Sequence, residues 1–291
     1  MPDQENQATP AQPALYQYTS LDGLLAIAQT KTLRLSHVLY QNDSSEYYHG
    51  LKLIEEVARE IVSDHIAINI AKGLMDNMNS IDVFTASFTT EPDLLSQWRG
   101  YCPNGGCSYN LLDEVLSGTL HHSLTLAKCI YKESEQRDYI RYSLQQYTNP
   151  YNMTRGVSKY VHILKPLVAN MAAILKNEKF EEEAEWRIMT TRDYDYSKSA
   201  QPGVITSAPE YPKPYRTIEF RAGKSTLIPY VTVPLGRTIL PIDETKPAPA
   251  RLFKEVYISP GPNSELSENA CKMFVGPDCE VKISEIPYKN W

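Results

Sequence analysis

The sequence has no CxxC pair, no GxGxxG, no P-loop, no HExxH and no GxSxG. Those absences remove zinc-ribbon and thioredoxin-type chemistry, Rossmann dinucleotide binding, P-loop phosphate binding, zincin proteolysis and nucleophile-elbow hydrolysis. Cysteines are few, odd in number and scattered: Cys102, Cys107, Cys129, Cys271 and Cys279. They read as reduced thiols rather than a disulfide framework. No long hydrophobic run occurs. The longest apolar stretch, 167–175, is too short to cross a bilayer and contains Asn170. Residues 1–14 carry neither a basic region nor an apolar run, so no signal peptide is expected. The expectation is a cytoplasmic protein with no membrane partner. Positive charge is not in excess either: 29 Lys and Arg stand against 35 Asp and Glu, a net charge of −6. That balance disfavours a broad phosphate-backbone binder. The only close histidine pair, His121-His122, points apart in regular structure, so no metal site is expected.

What is abundant is tyrosine. Twenty tyrosines stand against six Phe and three Trp, giving many aromatic faces that also carry a hydroxyl. In 291 residues a sizeable core is available for one large unit or two intimate ones. Residues 1–13 read as a disordered lead-in and 14–291 as a single α+β domain. Strands are expected at Leu15–Thr19, Thr32–Val38, Val83–Thr89, Cys107–Leu111, Ala127–Lys132, Ala184–Thr190, Thr217–Arg221, Leu227–Val233, Glu255–Ser259 and Glu280–Ile286. Helices are expected over 20–30, from Asp43 to about Ala71, and over 135–147, 158–180 and 264–274. Pro202–Pro214 reads as a loop. Strands and helices interleave without a regular βαβ beat, which points to mostly antiparallel sheets flanked by helices.

Four polar constellations could carry chemistry. In the first, Tyr16, Tyr18 and Ser20 share one face of the opening strand, with Thr19 between them; alternatively Ser20 caps the next helix. The second is Asn42, Asp43 and Glu46, where Asp43 and Glu46 also imitate a capping box. The third is Gln97–Tyr101 on an expected irregular segment. There Trp98, Arg99 and Tyr101 could stack a base and hold a phosphate, or Trp98 could plug the core. In the fourth, an extended 183–188 puts Glu183, Glu185 and Arg187 on one face, with Trp186 and Ile188 on the other. Two such carboxylates can position a sugar hydroxyl and stabilise an oxocarbenium-like centre; the alternative is a surface ion pair.

In order and spacing, these segments resemble a bacterial domain-of-unknown-function family. Its pattern runs Tyr-x-Tyr-Thr-Ser, Asn-Asp-x-x-Glu, Trp-x-x-Tyr and Glu-x-Glu-Trp-Arg. Here those motifs are Tyr16–Ser20, Asn42–Glu46, Trp98 with Tyr101, and Glu183–Arg187, followed by Ile258–Pro262 and Ser284–Tyr288. More distantly, the strand–helix–strand of residues 15–36 resembles the start of the ADP-ribosyltransferase superfamily. That resemblance implies an ADP-ribosyltransferase-like fold and NAD as the substrate. It also implies an unknown protein or nucleic-acid acceptor and a toxin or phage-defence role. By position it implies nicotinamide-riboside contacts from Tyr18, Thr19 and Ser20, and support from the Thr85–Ser87 strand. It implies Glu185 as the catalytic carboxylate, with Glu183 as its helper or in the reverse order. Tyr16, Asn42, Asp43, Trp98, Arg99, Tyr101 and Arg187 would complete the pocket. Two other readings remain open: a non-enzymatic module that binds a nucleotide or nucleic-acid end, and a metal-dependent nuclease using Asp43, Glu46 and the Glu pair.

Overall fold

Alternating apolar and polar residues give the strands two chemically different faces, and the strands join into one sheet. The computed structural model describes residues 13–41, 45–61, 68, 72, 81–120, 124–147, 157–193, 217–223, 225–236 and 251–287. Its strands are β1 (Tyr16–Thr19), β2 (Thr32–His37), β3 (Ile81–Thr89), β4 (Cys107–Leu111) and β5 (Thr125–Lys128). They continue with β6 (Glu185–Asp193), β7 (Glu219–Ala222), β8 (Leu227–Pro234), β9 (Phe253–Ile258) and β10 (Glu280–Ile283). The order is β10-β9-β4-β1-β3-β2-β8-β7, with β6 also on β3 and β5 beyond β6. Among the described strands only β9 and β10 pair in parallel; the other pairs are antiparallel. The helices are α1 (Leu21–Thr30), α2 (Ser45–Ile61), α3 (Leu95–Tyr101), α4 (Asp113–Leu120), α5 (Glu133–Tyr147), α6 (Val157–Ala172) and α7 (Ser264–Val275). The fold is α+β, with a mixed, mostly antiparallel sheet flanked by helices.

One face of the sheet is apolar. Leu33, Leu35, Phe84, Phe88, Ile188, Val231 and Val256 pack there beneath Leu24 of α1, Val115 and Leu116 of α4, and Cys271 of α7. The other face is polar across its centre. The register sets Thr85, Ser87 and Thr89 opposite Met189, Arg187 and Glu185, and Tyr16 and Tyr18 opposite Asn110 and Ser108. A second core, formed by α2, α5 and α6, rests on Val83 and Met189 at one end of this face. On the β1 side, Trp98 of α3 packs on Tyr18.

β1 and β2 share one edge of β3, β2 near its middle and β1 at its end. β2 pairs with Phe84 and Thr85, while β1 pairs with Thr89. Between them the strands part, and the Gln17 side-chain amide donates to the Ser87 carbonyl at 3.3 Å. A half-buried backbone carbonyl left by the split is thereby satisfied.

The α2–α6 crossing depends on a glycine. A Cβ on Gly50 would lie 2.6 Å from the Ala172 carbonyl oxygen, closer than such contacts allow. Gly50→Ala is expected to force the helices apart and lower stability by about 1–3 kcal/mol, measured by denaturant titration.

The structure departs from the sequence expectations in several elements. Residues 95–101 form α3 rather than an irregular segment, and Asp113–Leu120 forms a helix that the pattern did not announce. The helix expected over 158–180 ends at Ala172. There the chain turns so that Leu175 bridges Ile130 and the Lys176 amide bonds the Ile130 carbonyl at 3.0 Å. A short 3-10 turn, Glu178–Glu183, follows. Residues 1–12 of the expected lead-in and the Pro202–Pro214 loop lie outside the described residues. All five cysteines are free and buried. No described helix is long and apolar enough to cross a membrane.

Candidate functional site

A cleft of about 950 Å³ opens on the polar face of the sheet, bounded by the start of α2, by α3, by the turn before β6 and by the β7–β8 hairpin. Its lining brings together Tyr16 and Tyr18 of β1, Ser87 of β3, Tyr101 of α3, and Glu183, Glu185 and Arg187. These residues come from distant parts of the chain.

A buried charge network forms one wall. Lys176 Nζ donates to Glu183 Oε2 and to Glu185 Oε2, both at 2.7 Å, and lies 3.4 Å from Glu46 Oε1. Arg187 Nε donates to Glu185 Oε1 at 2.8 Å, while its Nη2 reaches Glu185 Oε2 and Glu46 Oε2, each at 3.1 Å. Arg187 Nη1 donates to the Ala173 carbonyl. The scaffold beneath is equally specific. Gln136 Nε2 donates to the carbonyls of Ile130 and Lys176 at 2.7 Å, holding the turn that presents Lys176. The Glu185 amide donates to the Tyr131 hydroxyl, also at 2.7 Å.

The two carboxylates of the Glu-x-Glu segment differ sharply. Glu185 is 5% exposed, and both its oxygens are taken by cations. Burial would raise its carboxyl pKa, but Arg187 and Lys176 outweigh burial and hold it at about 2. Glu185 is therefore ionised at neutral pH and ties the two buried cations together. Both cations are in turn shifted upward: burial opposes their charge, and Glu185 restores it. Glu183 is more open, and among the described residues only its Oε2 is bonded. Burial pushes its carboxyl above the usual range, with Lys176 pulling in the other direction.

Glu183 does not reach this position by strand alternation, as the sequence suggested. It ends the 3-10 turn, and Ala184 follows at φ 43°, ψ 43°, in the left-handed region, before β6 begins at Glu185. Such a conformation is uncommon for a residue with a Cβ and costs on the order of 1–2 kcal/mol, supplied here by the surrounding network.

Helicity of residues 95–101 also corrects the third constellation. At 100° per residue, Gln97 and Tyr101 share the cleft side, and Trp98 turns into a small core with Tyr18 and Cys102. Trp98 is 1% exposed, and its Nε1 donates to Asp93 Oδ1 at 2.6 Å. Arg99 is exposed on the opposite side and does not line the cleft. Ser20 caps α1, its hydroxyl accepting from the Gly23 amide at 3.1 Å, and neither Ser20 nor Thr19 lines the cleft. Asn42 and Asp43 lie outside the described residues. Glu46, read as part of a capping box, instead spends its carboxylate on Lys176 and Arg187.

The hydroxyls of the β1 tyrosines are spent on the surrounding frame. Tyr18 donates to the Glu91 carbonyl at 2.9 Å and accepts from the Leu94 amide at 2.8 Å, and Tyr16 donates to Glu255. Sequence reasoning missed Lys176, the exposed rings of Tyr40 and Phe180, and Arg34 and Arg221, all of which line the cleft. For Lys176 a signal existed: it is a cation ending the apolar run 171–175 and followed by the Glu-rich turn.

A family described as "Protein of unknown function (DUF2971)" matches residues 97–188. The match spans α3 to the first part of β6, and so includes Tyr101, Lys176, Glu183, Glu185 and Arg187 but none of the β1–β3 residues. The similarity is to a domain family of unknown function, the kind the motif order suggested, and carries no activity with it. No curated protein and no solved structure matches the chain.

Proposed function

We propose that the protein is an ADP-ribosyltransferase-like enzyme that takes NAD in this cleft and transfers ADP-ribose to a protein or nucleic-acid acceptor. The observation that carries the reading is convergence. Tyr18, Ser87, Tyr101 and the Glu183–Glu185 pair meet on one cleft, beside the parting of β1 and β2.

The geometry favours Glu183 as the catalytic carboxylate and Glu185 as the residue that positions Lys176 and Arg187. A carboxylate neutralised by two cations does little to stabilise a third positive charge, and Glu183 retains an oxygen without a bonded partner among the described residues. In the proposed reaction the C1′–N bond of the nicotinamide riboside breaks, and its electron pair leaves with neutral nicotinamide. Glu183 bonds the ribose 2′-hydroxyl and stabilises the charge developing at C1′. The acceptor's lone pair then forms the new bond at C1′, and its proton passes to Glu183, whose raised pKa suits that role. Incubation with NAD labelled in both halves, together with lysate protein or nucleic acid, tests this. Release of nicotinamide with transfer of the adenylate label is expected; absence of both with every acceptor class contradicts the reading.

A second reading is a non-enzymatic nucleotide-binding module, favoured by the occupied oxygens of Glu185. It requires NAD to bind and remain intact. The nuclease reading gains no such observation. Among the described residues no three His, Cys, Asp or Glu side chains are grouped to hold a metal ion, and Glu46, Glu183 and Glu185 converge on the Lys176 ammonium.

A further inference from the structure

Across β3, β2 and β8 from the Glu183 wall, the same cleft carries two arginines of a different kind. Arg34 on β2 and Arg221 on β7 both line it and are both exposed. Lys176 and Arg187 are neutralised by carboxylates, whereas neither Arg34 nor Arg221 enters an ion pair among the described residues. Among the described residues that line the cleft, the positive charge without a carboxylate partner is therefore at this end.

The wall is also built to hold these guanidinium groups. The register sets Arg34 opposite Thr232 and Arg221 opposite Ile228, so the two flank Tyr230 on the intervening strand. The Arg34 guanidinium lies over the Tyr230 ring, 5.0 Å from its centroid. Tyr230 is buried, and its hydroxyl donates to Glu219 Oε2 at 3.1 Å; the Thr232 hydroxyl takes Glu219 Oε1 at 2.9 Å. Glu219, the nearby acid, is thus occupied by two hydroxyls. Ser36 and Ser225 line the same wall and add hydroxyl donors.

We propose that Arg34 and Arg221 form the diphosphate subsite of the cleft, binding a nucleoside-diphosphate anion whose sugar then extends toward Glu183. The identity of the whole ligand rests on the NAD reading, but recognition of the anion does not. Guanidinium groups suit the task, since each can donate two parallel hydrogen bonds to phosphoryl oxygens.

Calorimetric titration of the full chain with inorganic pyrophosphate, ADP-ribose and nicotinamide riboside tests the subsite. Wild-type protein is expected to bind pyrophosphate and ADP-ribose. Arg34→Met and Arg221→Met are each expected to weaken both by about tenfold or more, and the double variant to abolish pyrophosphate binding. Nicotinamide riboside binding and the melting temperature should be unchanged, because the substituted side chains are exposed. Pyrophosphate binding that is absent in the wild type, or equal in all variants, overturns the subsite. Arg59→Met, an exposed arginine of α2 that does not line the cleft, serves as the control and should bind pyrophosphate as the wild type does. If NAD is never cleaved but the arginine variants still lose pyrophosphate, the transferase reading fails and the subsite stands.

Discussion

Glu185→Gln is expected to lower the unfolding free energy by about 3–5 kcal/mol, the range for breaking a buried ion pair from one side. The side chain keeps its shape, so the effect is electrostatic: Arg187 and Lys176 stay buried and lose the carboxylate that bonds them both. Removing the partners together should cost less than the sum, so Glu185→Gln with Arg187→Gln is expected to be sub-additive. The pH dependence has a definite sign. The Glu185 carboxyl lies at about 2 in the folded protein against an ordinary 4.5. Its stabilisation is therefore complete above the ordinary value and drains away as pH falls from about 4.5 toward 2. That difference corresponds to about 3 kcal/mol, and the matching acid limb should flatten in Glu185→Gln. Denaturant midpoints measured between pH 2 and pH 7 check both. An unchanged wild-type midpoint across the range would place Glu185 outside any buried pair.

Glu183→Gln is expected to do the reverse: to remove catalysis and spare the fold. Nicotinamide release should fall by about 100-fold or more, the scale for losing a positioned electrostatic or acid–base group. Stability at neutral pH should hold or rise. Burial raises the Glu183 carboxyl pKa, so its contribution to stability is present below its ordinary value and lost as pH rises through the folded-state value. The same elevation places the acid limb of the pH–rate profile above the ordinary carboxylate range. If Glu183→Gln retains full turnover while a folded Glu185 variant loses it, the roles of the two are exchanged. The paired stability and rate measurements separate these cases, since Glu185 is expected to move the first and Glu183 the second.

Much of the sheet was legible because strand alternation is local. Thr85, Ser87 and Thr89 face one side and Phe84, Ala86 and Phe88 the other, and β3, β4 and α1 fall close to their expected bounds. The site was legible only in part, for physical reasons that can be named. Residues 97–101 looked irregular because a seven-residue helix shows barely two turns of periodicity; that helix turns Trp98 inward and Arg99 away. Tyr101 reached the cleft by helical rather than linear proximity to Gln97. A left-handed Ala184 gives no sequence signal, yet it sets where Glu183 ends and β6 begins. The Glu46 carboxylate meets Arg187, 141 residues along the chain, a pairing that only tertiary structure reveals. Tyrosine excess proved informative at a few positions. Tyr16 and Tyr18 line the cleft with their hydroxyls bonded to the frame, and the exposed Tyr40 and Tyr101 line it as well.

The central claim is that this cleft holds NAD with its nicotinamide ribose at Glu183. A crystal structure of the wild-type chain with a non-cleavable NAD analogue tests it most directly. The account predicts the ribose 2′-hydroxyl within hydrogen-bond distance of Glu183, the diphosphate between Arg34 and Arg221, and Glu185 still bonded to Lys176 and Arg187. An analogue that binds outside the cleft, or a ribose held by a Glu185 released from its cations, would contradict it.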